Sequence, residues 1–182
     1  VRALVRNRAA DLPTAVDRVI GDLADPGTLG TALDGVDAVY LACGNHPAQV
    51  TWETAAIDAA AAAGVRRIVK LSALDVAIGS PVAFADAHGR IEAHLQASGI
   101  EHVLLRPAFL MSNLLAAADG VRQAGAVFLP AAGAKIAMID PGDVAAVAAV
   151  ALTAPVPREL PLTGPAVVSF DDVAAELSEI TG

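Results

Sequence analysis

Aromatic residues are scarce in this chain. Phe, Trp and Tyr make up only 3% of its 182 residues, which excludes a core built on large rings. Val, Leu, Ile and Ala must fill the interior, and such a core suits parallel strands covered by Ala-rich helices. Cysteine is nearly absent too. Cys43 stands alone, so an internal disulfide framework is excluded and a reducing cytoplasm is the expected setting. Positive charge is in deficit, with 12 Lys and Arg against 20 Asp and Glu and a net charge of −8. A nucleic-acid partner is therefore not expected. Mean hydropathy is high, at +0.56, yet no long apolar run accompanies it. The most apolar stretches, 55–64 and 144–156, fall short of the roughly 20 residues that cross a bilayer. No basic stretch leads into an apolar one as in a secretory leader. The four histidines, His46, His88, His94 and His102, lack the spacing of a zinc site. No Gly-x-Ser-x-Gly elbow is present.

What the chain does contain is a regular alternation of short apolar runs and helical patterns. Strands are expected at 1–6, 18–21, 38–43, 67–71, 102–105, 127–129, 135–139 and 160–162. Helices are expected between them, over 25–33, 49–63, 86–97, 111–118, 140–152 and 169–180. Their ends carry physical signals. Asp25-Pro26 and Asp140-Pro141 place a capping acid before a proline that suits the first turn. Gly35, Gly64 and Gly99 stand where helices stop. No repeat or low-complexity linker divides the chain, so one domain is expected. Strand–helix alternation of this kind predicts an α/β fold, a parallel sheet with helices on both faces. Ligands of such sheets bind beyond the carboxyl ends of the strands.

The polar turns at those ends, taken in order, carry a resemblance. Val-Arg-Ala-Leu-Val-Arg-Asn at 1–7, Gly-Asp-Leu-Ala-Asp-Pro at 21–26, Gly-Val-Asp-Ala-Val-Tyr-Leu at 35–41 and Gly-Val-Arg-Arg-Ile-Val-Lys-Leu-Ser-Ala at 64–73 begin the set. Ser-Gly-Ile at 98–100, Leu-Arg-Pro-Ala-Phe-Leu-Met-Ser-Asn at 105–113, Asp-Pro-Gly-Asp-Val-Ala at 140–145 and Leu-Thr-Gly-Pro at 162–165 complete it. Together they resemble the NmrA-like branch of the atypical short-chain dehydrogenases/reductases. That family has a Rossmann-type sheet and includes NAD(P)H:quinone oxidoreductases and regulators that bind NADP without turnover. Its members open with a strand and a Gly-x-x-Gly-x-x-Gly turn, a pattern found nowhere in these 182 residues. They also continue beyond the last helix expected here. The resemblance therefore implies a chain shortened at both ends, lacking the first strand and its glycine-rich turn. Without that strand, 1–6 and 38–43 would each lose a neighbour. They would stand about 9–10 Å apart if they kept their family places, or else close up.

The resemblance assigns residues. Arg6, after the first strand, matches the place of a cation for the 2′-phosphate of NADP, where an acid would select NAD. NADP is thus the expected cofactor, with NAD as the other candidate. Asp22 and Leu23 match the adenine site, and a plain Gly-Asp turn is the equal alternative. Ala42, Cys43 and Gly44 match small residues beside the cofactor ribose. Cys43 reads as a small buried residue rather than a nucleophile. Ser72 matches the position that holds the substrate carbonyl in many relatives. The usual Tyr-x-x-x-Lys is replaced, with Phe84 in the Tyr place and His88 in the Lys place. His88 is a candidate for the nicotinamide ribose or for proton donation near neutral pH. Its alternative is a surface imidazole paired with Glu92 one turn on. Pro107 and Phe109 match the segment beside the nicotinamide, and Asn113 a polar residue facing substrate. Core packing for Phe109 and a helix cap for Asn113 compete with those roles. Trp52 and Glu53 are expected on the packed and solvated faces of their helix.

Three functions remain open at this point. One is hydride transfer from NAD(P)H to a small quinone-like acceptor, which needs orientation and a dry pocket more than a strong acid. Another is NADP sensing without catalysis, favoured by the replaced Tyr and Lys. The third is an inactive fragment of such a protein. The sequence leaves the oligomeric state open.

Overall fold

A computed structural model describes residues 1–126 and 133–181. The strand expected at 127–129 lies outside the described residues. The expected alternation is present. Strands β1 (Arg2–Val5), β2 (Asp17–Ile20), β3 (Ala38–Leu41), β4 (Arg67–Leu71) and β5 (Glu101–Pro107) alternate with helices α1 (Leu29–Leu33), α2 (Gln49–Ala62) and α3 (Ala83–Ala97). A 3₁₀ stretch over Met111–Ala117 then leads into α4 (Ala118–Ala124). The chain continues through β6 (Lys135–Ile136), α5 (Pro141–Thr153), β7 (Glu159–Leu162), β8 (Val168–Ser169) and α6 (Phe170–Thr181).

Four strands form a continuous parallel ladder in the order β3-β4-β5-β7. β1 and β2 form a separate parallel pair. The neighbouring strands 1–6 and 38–43 do not close up. Among the described residues β1 bonds only to β2 on its ladder, and β3 only to β4. The first pair is held by side chains instead. Leu4 and Leu23 pack against the cluster around Leu29 and Ile57, and Arg2 donates to the carbonyls of Ala32 and Asp34 at 3.1 and 2.7 Å. β6 and β8 pair antiparallel, an exception to the all-parallel expectation.

The helix ends follow local chemistry. Asp25 accepts from the Gly27 amide with Pro26 in the first turn, and Asp140 does the same for Gly142 ahead of α5. Gly35, Gly64 and Gly99 adopt φ of 65°, 78° and 77°, a left-handed conformation that favours glycine. Ser169 and Asp172 exchange hydrogen bonds at the start of α6, the reciprocal cap of that spacing.

Alternation along β4 and β5 splits the core in two. Ile68 and Leu104 face α2 and α3, packing with Ile57, Ala60, Ile91 and Leu95. Val69, Val103 and Leu105 face α5, packing with Val144, Ala148 and Ala151. The loop between β4 and α3 is clamped onto its helix at Gly89. A Cβ there would lie 2.8 Å from the backbone of Ala77 and Ile78, so only glycine fits this close approach.

Candidate functional site

The α2/α3 face of the sheet carries charge as well as apolar residues. Lys70 lies on β4 and points the same way as Ile68. Its side chain is 0% exposed, as is that of Glu53 on α2, and Nζ stands 2.7 Å from Glu53 Oε2. Nζ also donates to the Leu71 carbonyl at 2.6 Å and lies 3.3 Å from His88 Nδ1 on α3. Gln49, the first residue of α2, donates to Glu53 Oε1 at 2.8 Å and sits 3.5 Å from His88 Nε2. Burial pushes Lys70 below the ordinary amine range, while the Glu53 carboxylate opposes that shift. An isolated buried ammonium would cost several kcal/mol, and the paired carboxylate offsets this.

A second ionic group lies beside the first. Arg106 on β5 forks onto Glu92 of α3, with Nε to Oε1 at 3.1 Å and Nη2 to Oε2 at 2.6 Å. Its Nη1 reaches Glu159 of β7 at 2.7 Å. Ser72, one residue beyond β4, donates its hydroxyl to Glu92 Oε1 at 2.6 Å. The hydrogen bonds that Arg106 donates to Glu92, aided by the charges of Glu92 and Glu159, hold its guanidinium above its ordinary pKa. Bidentate charge-assisted contacts of this kind fix orientation as well as charge.

The structure brings some expected site residues together and leaves others apart. Ser72, His88 and Glu92 join Lys70, Glu53 and Gln49 in one buried polar cluster at the carboxyl ends of β3, β4 and β5. His88 is 6% exposed, and Glu92 is engaged by Arg106 and Ser72, so a surface His88–Glu92 pair does not form. Burial, with the Lys70 ammonium adding to it, lowers the His88 pKa to about 4. Cys43 is half-buried above this cluster. Burial and then the Glu53 charge raise its pKa, so it is a neutral thiol, not an activated nucleophile.

Arg6 is exposed just after β1 and has no ion pair among the described residues. Asp22 is half-buried and accepts from the Ala24 amide at 2.9 Å, the ordinary turn geometry. Leu23 packs on the core. Ala42 and Gly44 are exposed beyond β3, and a Cβ on Gly44 would meet nothing within 4 Å. Pro107 ends β5 and is buried, and its carbonyl accepts from Leu74. Phe109 is half-buried and packs edge-on against Phe170, with ring centroids 5.6 Å apart. Asn113 is exposed in the 3₁₀ stretch without a side-chain cap bond. Phe84 is 43% exposed at the start of α3.

Glu53 corrects the sequence reading, which expected packed and solvated faces for Trp52 and Glu53. The carboxylate is buried, and Trp52 is half-buried with His46 stacked on it, ring centroids 4.1 Å apart. The signal was Lys70 itself: a cation inside the apolar run of a central parallel strand requires a partner. Among the described residues no three His, Cys, Asp or Glu side chains group to hold a metal ion, and no helix is long and apolar enough to cross a membrane.

The chain that builds this sheet and cluster has relatives among known proteins. A family model described as NAD(P)H-binding matches residues 1–155. The chain belongs to this NAD(P)H-binding family. The NmrA-like resemblance and the Rossmann-type α/β fold are borne out with it. NAD(P)H azoreductase of Xenophilus azovorans is 38% identical over 186 residues, covering 100% of this chain and 65% of the relative. The (4-alkanoyl-5-oxo-2,5-dihydrofuran-3-yl)methyl phosphate reductase of Streptomyces griseus is 39% identical over 187 residues, covering 100% and 66%. The crystal structure of NADPH-dependent quinone oxidoreductase from Escherichia coli, complexed with NADPH, superposes with a TM-score of 0.83. It is 34% identical, covering 100% of this chain and 66% of that one. The chain thus spans just under two thirds of the length of these three relatives.

Proposed function

We propose that this chain is the cofactor-handling part of an NAD(P)H-dependent oxidoreductase that reduces a small, flat, quinone-like acceptor in the cytoplasm. The observation that supports this best is the likeness over the whole chain to a quinone oxidoreductase solved with NADPH. Several residues fit such a cofactor. Arg6 is a free, exposed cation after β1, suited to a 2′-phosphate. Ala42 and Gly44 leave open space beyond β3 for a ribose to approach the backbone. Asp22 and Leu23 form the turn after β2 and are the candidates for the adenine. The pyrophosphate is the exception: residues 1–182 contain no glycine-rich turn into a helix N-terminus to cradle it.

NADPH, when bound, supplies a hydride. The chain's own residues supply position and dryness. Glu92, fixed by Arg106, holds the Ser72 hydroxyl, whose oxygen keeps lone pairs free for a cofactor or acceptor group. His88 serves to orient, because an imidazole neutral at pH 7 has no imidazolium proton to give. Pro107 and Phe109 form an apolar wall, and Asn113 offers a polar group towards the acceptor.

One observation favours a second reading, NADP sensing without turnover. The Ser72 proton is committed to Glu92, and Phe84 has no hydroxyl. Calorimetric titration of NADPH and NADH into the chain, and into a version carrying a strand and Gly-x-x-Gly-x-x-Gly turn ahead of Val1, tests the proposal. The extended version is expected to bind NADPH more tightly. Arg6→Ala should lower its preference for NADPH over NADH by about tenfold. Failure of both versions to bind either nucleotide overturns the reading. Binding without NADPH oxidation by any quinone selects the sensor.

A further inference from the structure

The family pattern places a lysine on the helix where this chain has His88. A lysine nevertheless reaches this place, from the strand below. Lys70 and His88 stand on different elements, β4 and α3, and their side chains meet at 3.3 Å between Nζ and Nδ1. We propose that Lys70 is the positioning residue of the site, and that its ammonium fixes the His88 proton on Nε2.

Donor and acceptor roles decide this. An ammonium has three N–H groups and no lone pair, so every polar neighbour must accept from it. The Leu71 carbonyl takes one N–H at 2.6 Å. Glu53 Oε2, 2.7 Å away, holds the charge in place. The third neighbour is His88 Nδ1. A protonated Nδ1 would set a donor against a donor beside a buried cation. The bare Nδ1 lone pair accepts instead, which leaves the proton on Nε2. The opposing arrangement would have Gln49 donate to a bare Nε2. That approach is 3.5 Å, at the outer limit of a hydrogen bond. The same amide nitrogen is already held on Glu53 Oε1 at 2.8 Å.

The charged groups around His88, taken together with its burial, leave the ring neutral. Lys70 faces it from the sheet, Glu53 from α2 beyond Lys70, and Glu92 from its own helix with its charge engaged by Arg106. Burial and then Lys70 lower the His88 pKa, and Glu92 opposes them. The imidazole is thereby a neutral N–H donor of fixed orientation. A lysine on the strand supplies the cation next to it that the helix does not. Its use in an oxidoreductase rests on the function proposed above, but the tautomer does not.

Nitrogen-15 NMR of the histidine-labelled chain tests this without cofactor, with His88→Gln identifying the resonances. At pH 7 the wild-type chain should show Nε2 protonated and Nδ1 bare. Gln49→Leu should leave that pattern unchanged. Lys70→Met combined with Glu53→Gln removes the ammonium without stranding a carboxylate. His88 should then lose its tautomer preference, and its pKa should rise from about 4 towards the ordinary 6.5. A proton on Nδ1 in the wild-type chain overturns the proposal, whether or not the double variant folds. So does a tautomer that follows Gln49 rather than Lys70. Loss of nucleotide binding with the tautomer intact would count against the oxidoreductase reading alone.

Discussion

The two faces of the central sheet are built from the same strands and solve burial differently. On the α5 side, Val69, Val103 and Leu105 meet Val144, Ala148 and Ala151 in an apolar cluster. On the α2/α3 side the apolar cluster gives way, towards the carboxyl ends, to Lys70–Glu53 and Arg106–Glu92. Hydrophobic burial needs no precise partner, whereas each buried charge needs a specific one. The first face can tolerate repacking. The second specifies geometry, which suits a surface that must orient ligand atoms to within fractions of an ångström.

The sharpest break in this comparison is Lys70→Met. It leaves Glu53 buried without its cation and should cost about 3–5 kcal/mol in urea unfolding. Leu105→Ala on the apolar face should cost about 2–5 kcal/mol. The distinguishing result is rescue. Adding Glu53→Gln should recover most of the first loss, because no charge is then stranded, while the same change cannot help Leu105→Ala. Equal behaviour of both would mean that the faces do not differ in kind.

The pH response sharpens the contrast less strongly. The folded His88 pKa lies below its ordinary 6.5, at about 4. Between those values the unfolded chain binds more protons than the folded one. The His88 contribution is therefore fully present above about pH 6.5 and lost as the pH falls towards 4. Urea midpoints of the wild type should decline over that window more steeply than those of His88→Gln. Parallel profiles would show that His88 does not carry the decline. The smallest effect belongs to the exposed Arg66–Asp37 pair, both partners 77% exposed. Arg66→Ala should change stability by about 0–1 kcal/mol, less at high salt.

Much of the fold was legible because local chemistry determines it. β4 falls on 67–71, as its apolar run between Gly64 and Ser72 predicts. The prolines after Asp25 and Asp140 and the glycines at 35, 64 and 99 set helix ends through φ and capping alone. Boundaries slipped where tertiary pairing extends an element. β5 runs on through Arg106 and Pro107 because β7 lies beside it. β8 is two residues long and exists through its pairing with β6. Of the candidate site, Ser72 and His88 were found by their place in an ordered motif. Glu53 and Lys70 were not, because they lie far apart in sequence, and Gln49 gains its place only through Glu53, four residues on. Glu53 sits among alanines in α2, where no apolar stripe marks an inward face, and only Lys70 on another element gives it a reason to be buried.

The separation of β1–β2 from the four-stranded ladder has a consequence for how the molecule opens. Backbone amides of β4 are bonded to β3 and β5 on both sides, so they exchange with solvent only when the central ladder opens. Among the described residues β1 shares no ladder with β3, and side-chain contacts such as Leu4, Leu23 and the two bonds from Arg2 hold the pair to the rest. Such a pair can detach and re-attach without disturbing the larger unit. The chain then behaves as two cooperative blocks of unequal protection. The less protected block carries Arg6, so the region proposed to grip the far end of a dinucleotide is also the one that can breathe.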